Sequence, residues 1–195
     1  MGILNGDDMD IMLVASEIHR LVEKAIQLPA GSIFPVAYYR FLKLLTEWWQ
    51  PKVSVELGVY AGGGSLHMCM GYPEGIVIGV DINAIQNDVS EMCDNFGFLH
   101  MDSVLAASEY KDIVGDVLVD ILFIDTTHTY EQTMAEYNAW FPHLNVNAII
   151  ALDDLHRPGM MKAWHEIPGY HIQMDELHVC PDPLDGGFGV ILYGS

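Results

Sequence analysis

VELGVYAGGGS, residues 55–65, runs from an apolar segment into a glycine-rich turn that opens a helical stretch. Glycines at 58, 62, 63 and 64 let a backbone approach a ligand closely, and free N–H groups at a helix start can hold a carboxylate or phosphate. The segment is the first of five short apolar runs, VSVEL (53–57), IVIGV (76–80), FGFLHM (96–101), VDILFI (119–124) and AIIAL (148–152). Runs apolar at consecutive positions are what strands buried on both faces require, so they predict a parallel sheet with helices on each side. Between the fourth and fifth runs, Tyr130, Met134, Tyr137, Phe141 and Leu144 mark one face of a helix. Repeated βαβ units predict a doubly wound, Rossmann-like α/β domain over residues 51–195. YHIQMDELHV (170–179) and GGFGVILYG (186–194), joined by the turn-rich CPDPLDGG, predict a C-terminal antiparallel hairpin that a plain dinucleotide-binding sheet lacks.

Residues 1–50 have a different texture. Ile11, Val14, Ile18, Leu21, Val22 and Ala25 recur at helical spacing, and Tyr38, Leu42, Leu45 and Trp49 repeat it between Pro35 and Pro51. Two helices separated by the turn LPAGSIFP (28–35) are predicted, as an N-terminal extension that caps a substrate pocket or mediates oligomer contact. A homodimer is one expectation. Together the two parts suit one compact domain.

Eight Lys+Arg against 27 Asp+Glu give a formal charge of −19, which repels phosphate backbones and anionic lipid. Nucleic acid and membrane are therefore set aside as partners. Cys69, Cys93 and Cys180 are an odd number without a CxxC pair, so neither a disulfide framework nor a zinc knuckle is indicated. With no signal-peptide pattern in MGILNGDDMD, a reducing cytoplasm is the expected location.

Ligands of a doubly wound sheet bind beyond the carboxyl ends of the strands, and here those ends are acidic. The first run carries Glu56 into the turn of Gly58, Tyr60, Gly62 and Ser65. The second ends at Asp81, 23 positions beyond Gly58, near the offset at which an acid accepts hydrogen bonds from adenosine ribose. Asp102 and Ser103 follow the third run, where they either cap a helix or reach an adenine edge.

The fourth and fifth runs end at Asp125 and at the pair Asp153–Asp154. Three carboxylates converging there repel one another unless a cation or proton is shared among them. Oxygen donors favour Mg²⁺, with Mn²⁺ or Ca²⁺ as alternatives. The competing reading is that these acids cap helices or face solvent. His128, three residues past Asp125, is placed to take a proton near such an ion. His100, His143, His165, His171 and His178 have no comparable context.

The ordered motifs VELGVYAGGGS, GVDIN, LFIDTTHTYEQT and IIALDDLHRPG resemble those of class I S-adenosylmethionine-dependent methyltransferases. More narrowly, they are similar to the metal-dependent small-molecule O-methyltransferases and the cephalosporin-hydroxylase-like group. The resemblance implies that Glu56, Gly58, Tyr60, Gly62 and Ser65 surround the methionine part of S-adenosylmethionine. It further implies that Asp81 holds the ribose, that Asp102 and Ser103 lie near adenine, and that Asp125, Asp153 and Asp154 bind a divalent metal. Catechol-methylating members place a lysine base three residues after the first metal-binding acid. His128 occupies that slot, which keeps the base role for Asp125's neighbour and weakens the case for a catechol substrate.

The expected activity is metal-assisted methyl transfer to a hydroxyl of a small molecule. Two alternatives stay open at this point. A nicotinamide-dependent oxidoreductase shares the glycine turn and Asp81, although Tyr60 replaces the second glycine of GxGxxG. A non-catalytic binding or scaffold protein of the same fold is the other.

Overall fold

All five apolar runs after Pro51 fold as strands of one sheet. The computed structural model describes residues 10–29, 36–182 and 184–194. Its elements are α1 (Ile11–Gln27), α2 (Ala37–Trp49), β1 (Val53–Leu57), α3 (Gly63–Gly71), β2 (Ile76–Asp81), β3 (Phe96–His100), α4 (Ser103–Val114) and β4 (Val119–Ile124). They continue with α5 (Tyr130–Trp140), β5 (Leu144–Asp153), α6 (Met160–Glu166), β6 (Tyr170–Gln173) and β7 (Phe188–Leu192). Most of the LPAGSIFP turn, the N-terminal nonapeptide and Pro183 lie outside the described residues.

The seven strands take the order β3-β2-β1-β4-β5-β7-β6. β1 to β5 are parallel, while β7 runs antiparallel to both β5 and β6. The sheet is thus the doubly wound, Rossmann-like architecture expected, mostly parallel with antiparallel C-terminal strands. Alternation splits the core in two. Ile121, Phe123, Ile149 and Ala151 pack with α1, α2 and α3 on one face, and Leu122, Ile124, Ile150 and Leu152 pack with α4, α5 and α6 on the other. The N-terminal helices are therefore built into the same core as the sheet: Ile18 of α1 and Phe41 of α2 are fully buried there. Asp10 caps α1 by accepting from the N–H groups of Met12 and Leu13. No helix among the described residues is long and apolar enough to cross a membrane.

Three local expectations are corrected. The apolar stripe read as one helix through Leu144 is divided, because Pro142 lacks the N–H an α-helix needs: α5 stops at Trp140, a 3₁₀ turn spans Phe141–His143, and Leu144 opens β5. β5 consequently runs ten residues rather than five, and its early half pairs Leu144 with Val119 ahead of a register shift. β3, read as buried on both faces, is an edge strand with no fully buried residue.

Candidate active site

The strand order reverses between β1 and β4, which sets their carboxyl ends apart as the ligand-binding crevice of such a sheet. Gly58 makes the crevice possible. Its φ is +90°, and a Cβ there would sit 2.0 Å from the backbone oxygen of Asp125, so only glycine lets the two strand ends approach this closely. A cleft of about 620 Å³ opens above them. Of the residues singled out from sequence, Gly58, Tyr60, Asp81, Asp102, Ser103, Asp125, His128, Asp153 and Asp154 line it.

Glu56, Gly62 and Ser65 do not line the cleft; they build its floor. The Glu56 carboxylate accepts from the Ser65 N–H at 2.6 Å and from the Ser65 hydroxyl, tying the first turn of α3 to β1. Gly64 leaves room for this, since a Cβ there would lie 2.1 Å from Glu56 Oε1. Burial raises the Glu56 pKa to about 8, a shift that the Ser65 hydrogen bonds only partly offset. Together these contacts fix the position of the α3 N-terminus.

Asp81 acts first on the protein itself. Its Oδ2 accepts from the N–H groups of Val59 at 3.0 Å and Tyr60 at 2.9 Å, and Oδ1 accepts from that of Asn83 at 2.8 Å. These bonds hold Tyr60 at φ +45° and leave acceptor capacity on the cleft side for ribose hydroxyls. Asp102 caps α4, its Oδ1 accepting from the N–H groups of Val104 and Leu105. The Ser103 hydroxyl turns inward to donate to Glu136 at 2.5 Å.

At the other end of the cleft the acids converge, with two histidines among them. His128 Nε2 lies 2.9 Å from Asp125 Oδ1, and its Nδ1 lies 3.4 Å from Asp154 Oδ2. The residue sits at φ +51°, an unusual backbone conformation for a non-glycine, which sets the ring between the two carboxylates. His178 Nδ1 lies 2.6 Å from Asp153 Oδ1 and 3.6 Å from Asp154 Oδ1. Asp154 is further engaged by the Gly186 N–H at 2.7 Å and by Arg157 at 3.4 Å. Burial, followed by the charges of Asp153 and Asp154, pushes the Asp125 carboxyl well above the usual range. Burial also raises Asp153, against the lowering effect of its hydrogen bond to His178. For His178 burial opposes protonation, yet the Asp153 hydrogen bond and the three surrounding acids outweigh it and raise its pKa.

This donor set suits a cation. Ligand atoms of Asp125, His128 and Asp153 lie within 4.8 Å of one another, as do those of Asp153, Asp154 and His178. All three acids predicted as ligands fall in these two groups: Asp153 is common to both, and each group adds an imidazole.

His178 corrects the sequence reading, which gave it no context. It stands far from the acids in sequence and arrives because β7 inserts between β5 and β6, returning the β6–β7 connection to the end of β5. Tyr38 and Tyr39 of α2 also line the cleft; Tyr38 carried only a core-stripe signal, and Tyr39 was not singled out. The Tyr38 ring stacks on Phe188 with centroids 5.2 Å apart and lies 5.1 Å from that of His178. Burial, with the Asp125 charge next, raises the Tyr38 phenol far above its ordinary value and keeps it a neutral donor.

A family model described as a methyltransferase domain matches residues 55–155, just over half of the chain. Comparison with curated proteins finds no match. Among solved structures, an O-methyltransferase from Bacillus cereus in complex with SAH superposes with a TM-score of 0.65 at 16% identity, covering 97% of this chain and 93% of that one. TomG, an O-methyltransferase from Streptomyces achromogenes involved in tomaymycin synthesis and bound to SAM, gives 0.63 at 14% identity, over 98% and 93% of the two chains. MycE methyltransferase from the mycinamycin biosynthetic pathway, in complex with Mg and SAH, gives 0.50 at 20% identity, over 74% of this chain and 42% of that one. At these identities the structural likenesses establish the fold, and the family match takes the place of the dinucleotide alternative. Its motifs, spanning β1 to the acid pair after β5, make this chain a member of the methyltransferase-domain family, and so a class I S-adenosylmethionine-dependent methyltransferase.

Proposed function

We propose that the enzyme transfers a methyl group from S-adenosylmethionine to a hydroxyl of a small molecule, with a divalent cation at the acid cluster. The observation that carries this reading is the juxtaposition, in one cleft, of the Gly58–Asp81 end with Asp125, His128, Asp153 and Asp154. In support, TomG and the Bacillus cereus protein are O-methyltransferases, and MycE is bound to Mg.

When bound, S-adenosylmethionine supplies an electrophilic methyl group. Asp81 offers its remaining acceptor positions to the ribose, and the backbone of Gly58–Tyr60 forms the wall beside the rest of the cofactor. Asp125 and Asp153, with His128 or with Asp154 and His178, are the residues that would hold Mg²⁺ or Mn²⁺, whose charge would favour ionisation of a neighbouring hydroxyl. With the ion held by Asp153, Asp154 and His178, His128 is free to act as the base: in the tautomer that donates from Nε2 to Asp125 at 2.9 Å, Nδ1 is the nitrogen that would take the hydroxyl proton. The imidazolium so formed lies between the Asp125 and Asp154 carboxylates, which stabilise it. Tyr38 and Tyr39 close the acceptor side and limit water entry.

The cleft wall carries five aspartates and neither lysine nor arginine. Neutral or cationic acceptors suit it, and phosphorylated or carboxylated ones do not. The test is methyl transfer from S-adenosylmethionine to a panel of neutral polyols, amino-polyols, phenols and acidic hydroxy compounds, with and without chelator. Turnover of a neutral or cationic member, lost on chelation and restored by Mg²⁺ or Mn²⁺, is expected. Turnover that survives chelation removes the metal, and absence of S-adenosylhomocysteine binding removes the cofactor assignment.

A further inference from the structure

The two histidines of the acid cluster are set differently. His128 turns each ring nitrogen to a different acid, Nε2 to Asp125 at 2.9 Å and Nδ1 to Asp154 at 3.4 Å. His178 turns one nitrogen, Nδ1, to two acids at once, Asp153 Oδ1 at 2.6 Å and Asp154 Oδ1 at 3.6 Å. Ligand atoms of Asp153, Asp154 and His178 thereby lie within 4.8 Å of one another. The other nitrogen, Nε2, lies 3.3 Å from Cys180 Sγ. That contact bears on the tautomer. An imidazole that offers its Nδ1 lone pair to a cation carries its proton on Nε2, and that proton needs an acceptor. Cys180 Sγ stands where ligating histidines ordinarily have a carboxylate, a carbonyl or a water. The residue is also held in place by its own surroundings. The His178 N–H donates to the Asp175 carbonyl at 3.1 Å, its carbonyl accepts from the Gly187 N–H at 2.9 Å, and the Tyr38 ring packs with its centroid 5.1 Å from that of the imidazole.

We propose that His178 is a nitrogen ligand of the cation through Nδ1, with Cys180 as the residue that positions it, and that the site therefore selects first-row transition dications such as Mn²⁺, Co²⁺ and Zn²⁺ over Mg²⁺. Mg²⁺ favours oxygen donors and gives up its water reluctantly, whereas imidazole is a good partner for the later transition ions. An imidazole in place of a carboxylate also removes one negative charge from the donor set. That loss weakens Mg²⁺, which is held mainly by charge, more than an ion that bonds well to nitrogen. The inference rests on the proposed cation at the acid cluster, and it narrows both the donors and the identity of that ion. It also gives a role to Cys180, which the cleft chemistry otherwise leaves unused.

The test is calorimetric titration of the metal-stripped full chain with Co²⁺ and with Mg²⁺, joined to pulsed electron paramagnetic resonance of the Mn²⁺-loaded protein. The wild type is expected to bind Co²⁺ on the order of 100-fold more tightly than Mg²⁺ and to show nitrogen hyperfine coupling to Mn²⁺. His178→Ala should abolish that coupling and bring the ratio of affinities down to roughly a few-fold, chiefly through loss of Co²⁺ binding. Cys180→Ala should weaken Co²⁺ by about tenfold with little change for Mg²⁺, and Cys180→Ser, whose hydroxyl accepts the same proton, should recover most of the loss. A merely structural role for either residue would weaken both ions alike and leave the ratio in place. In His128→Ala the nitrogen coupling should persist; its disappearance there assigns the nitrogen ligand to His128 and overturns the proposal. Should His178→Ala fail to fold, His128→Ala and the two Cys180 variants still decide the matter. A ratio unchanged in His178→Ala overturns this proposal alone, whereas a wild type that binds neither ion overturns the cation reading and this proposal with it.

Discussion

Glu56→Gln should make the ligand-free protein more stable at alkaline pH and leave it nearly unchanged at acid pH. Glu56 is buried, and that burial raises its carboxyl pKa in the folded chain to about 8, well above the ordinary glutamate value of about 4.3. The folded state therefore holds a proton that the unfolded state has released, so stability falls as pH rises between those values and levels off above the higher one. From pH 5 to pH 8, this single group lowers the unfolding free energy by on the order of 3–4 kcal/mol, which corresponds to roughly 10 °C in Tm for a chain of this size. Glutamine keeps the geometry, because its carbonyl oxygen accepts from the Ser65 N–H and hydroxyl as Oε2 does now. It removes only the ionisation. The assay is urea denaturation of wild type and variant, with metal and cofactor removed, at half-unit steps from pH 5 to 8.5. Other buried acids tilt both curves equally, so the difference between them isolates Glu56. Parallel curves would refute the reasoning, for they would mean that Glu56 ionises in the folded protein at ordinary carboxylate pH.

Gly58→Ala should cost at least about 3 kcal/mol of stability in urea titration, combining left-handed backbone strain with the clash against the Asp125 carbonyl; a loss below 1 kcal/mol would show that β1 and β4 need not approach so closely. His128→Ala should lower kcat by about 10²- to 10⁴-fold while calorimetric affinity for S-adenosylhomocysteine stays within about twofold, and equal losses in both would assign His128 to binding instead of proton transfer. Asp153→Asn should weaken Mn²⁺ binding, measured by calorimetry, more than Asp154→Asn does, because Asp153 belongs to both candidate donor sets whereas Asp154 spends its oxygens on Gly186 and Arg157. The reverse order would place the ion elsewhere.

The difference between what sequence alone determined and what needed the tertiary structure follows from the range of the forces involved. Apolar runs at 53–57, 76–80, 119–124 and 148–152 could only be strands buried between helices, and a parallel sheet puts all their carboxyl ends on one edge. Asp81, Asp125, Asp153 and Asp154 were therefore readable as neighbours from nothing more than their positions after those runs. Gly58 was readable as a close-approach glycine, although its partner, the Asp125 carbonyl, was not. What stayed hidden depends on how separate elements pack. His178 reaches Asp153 only because an antiparallel strand inserts at the end of the sheet. Tyr38 looked like part of a core stripe and Tyr39 carried no signal, and it is the docking of α2 against the sheet that brings both to the cleft. Glu136 sits on a helix whose apolar stripe was plain, yet only the packing of α4 on α5 sets Ser103 beside it and decides which way their hydrogen bonds run. Local patterning thus fixes strand ends and the acids they carry; side-chain partners from distant segments are chosen by packing, which no single stretch of sequence encodes.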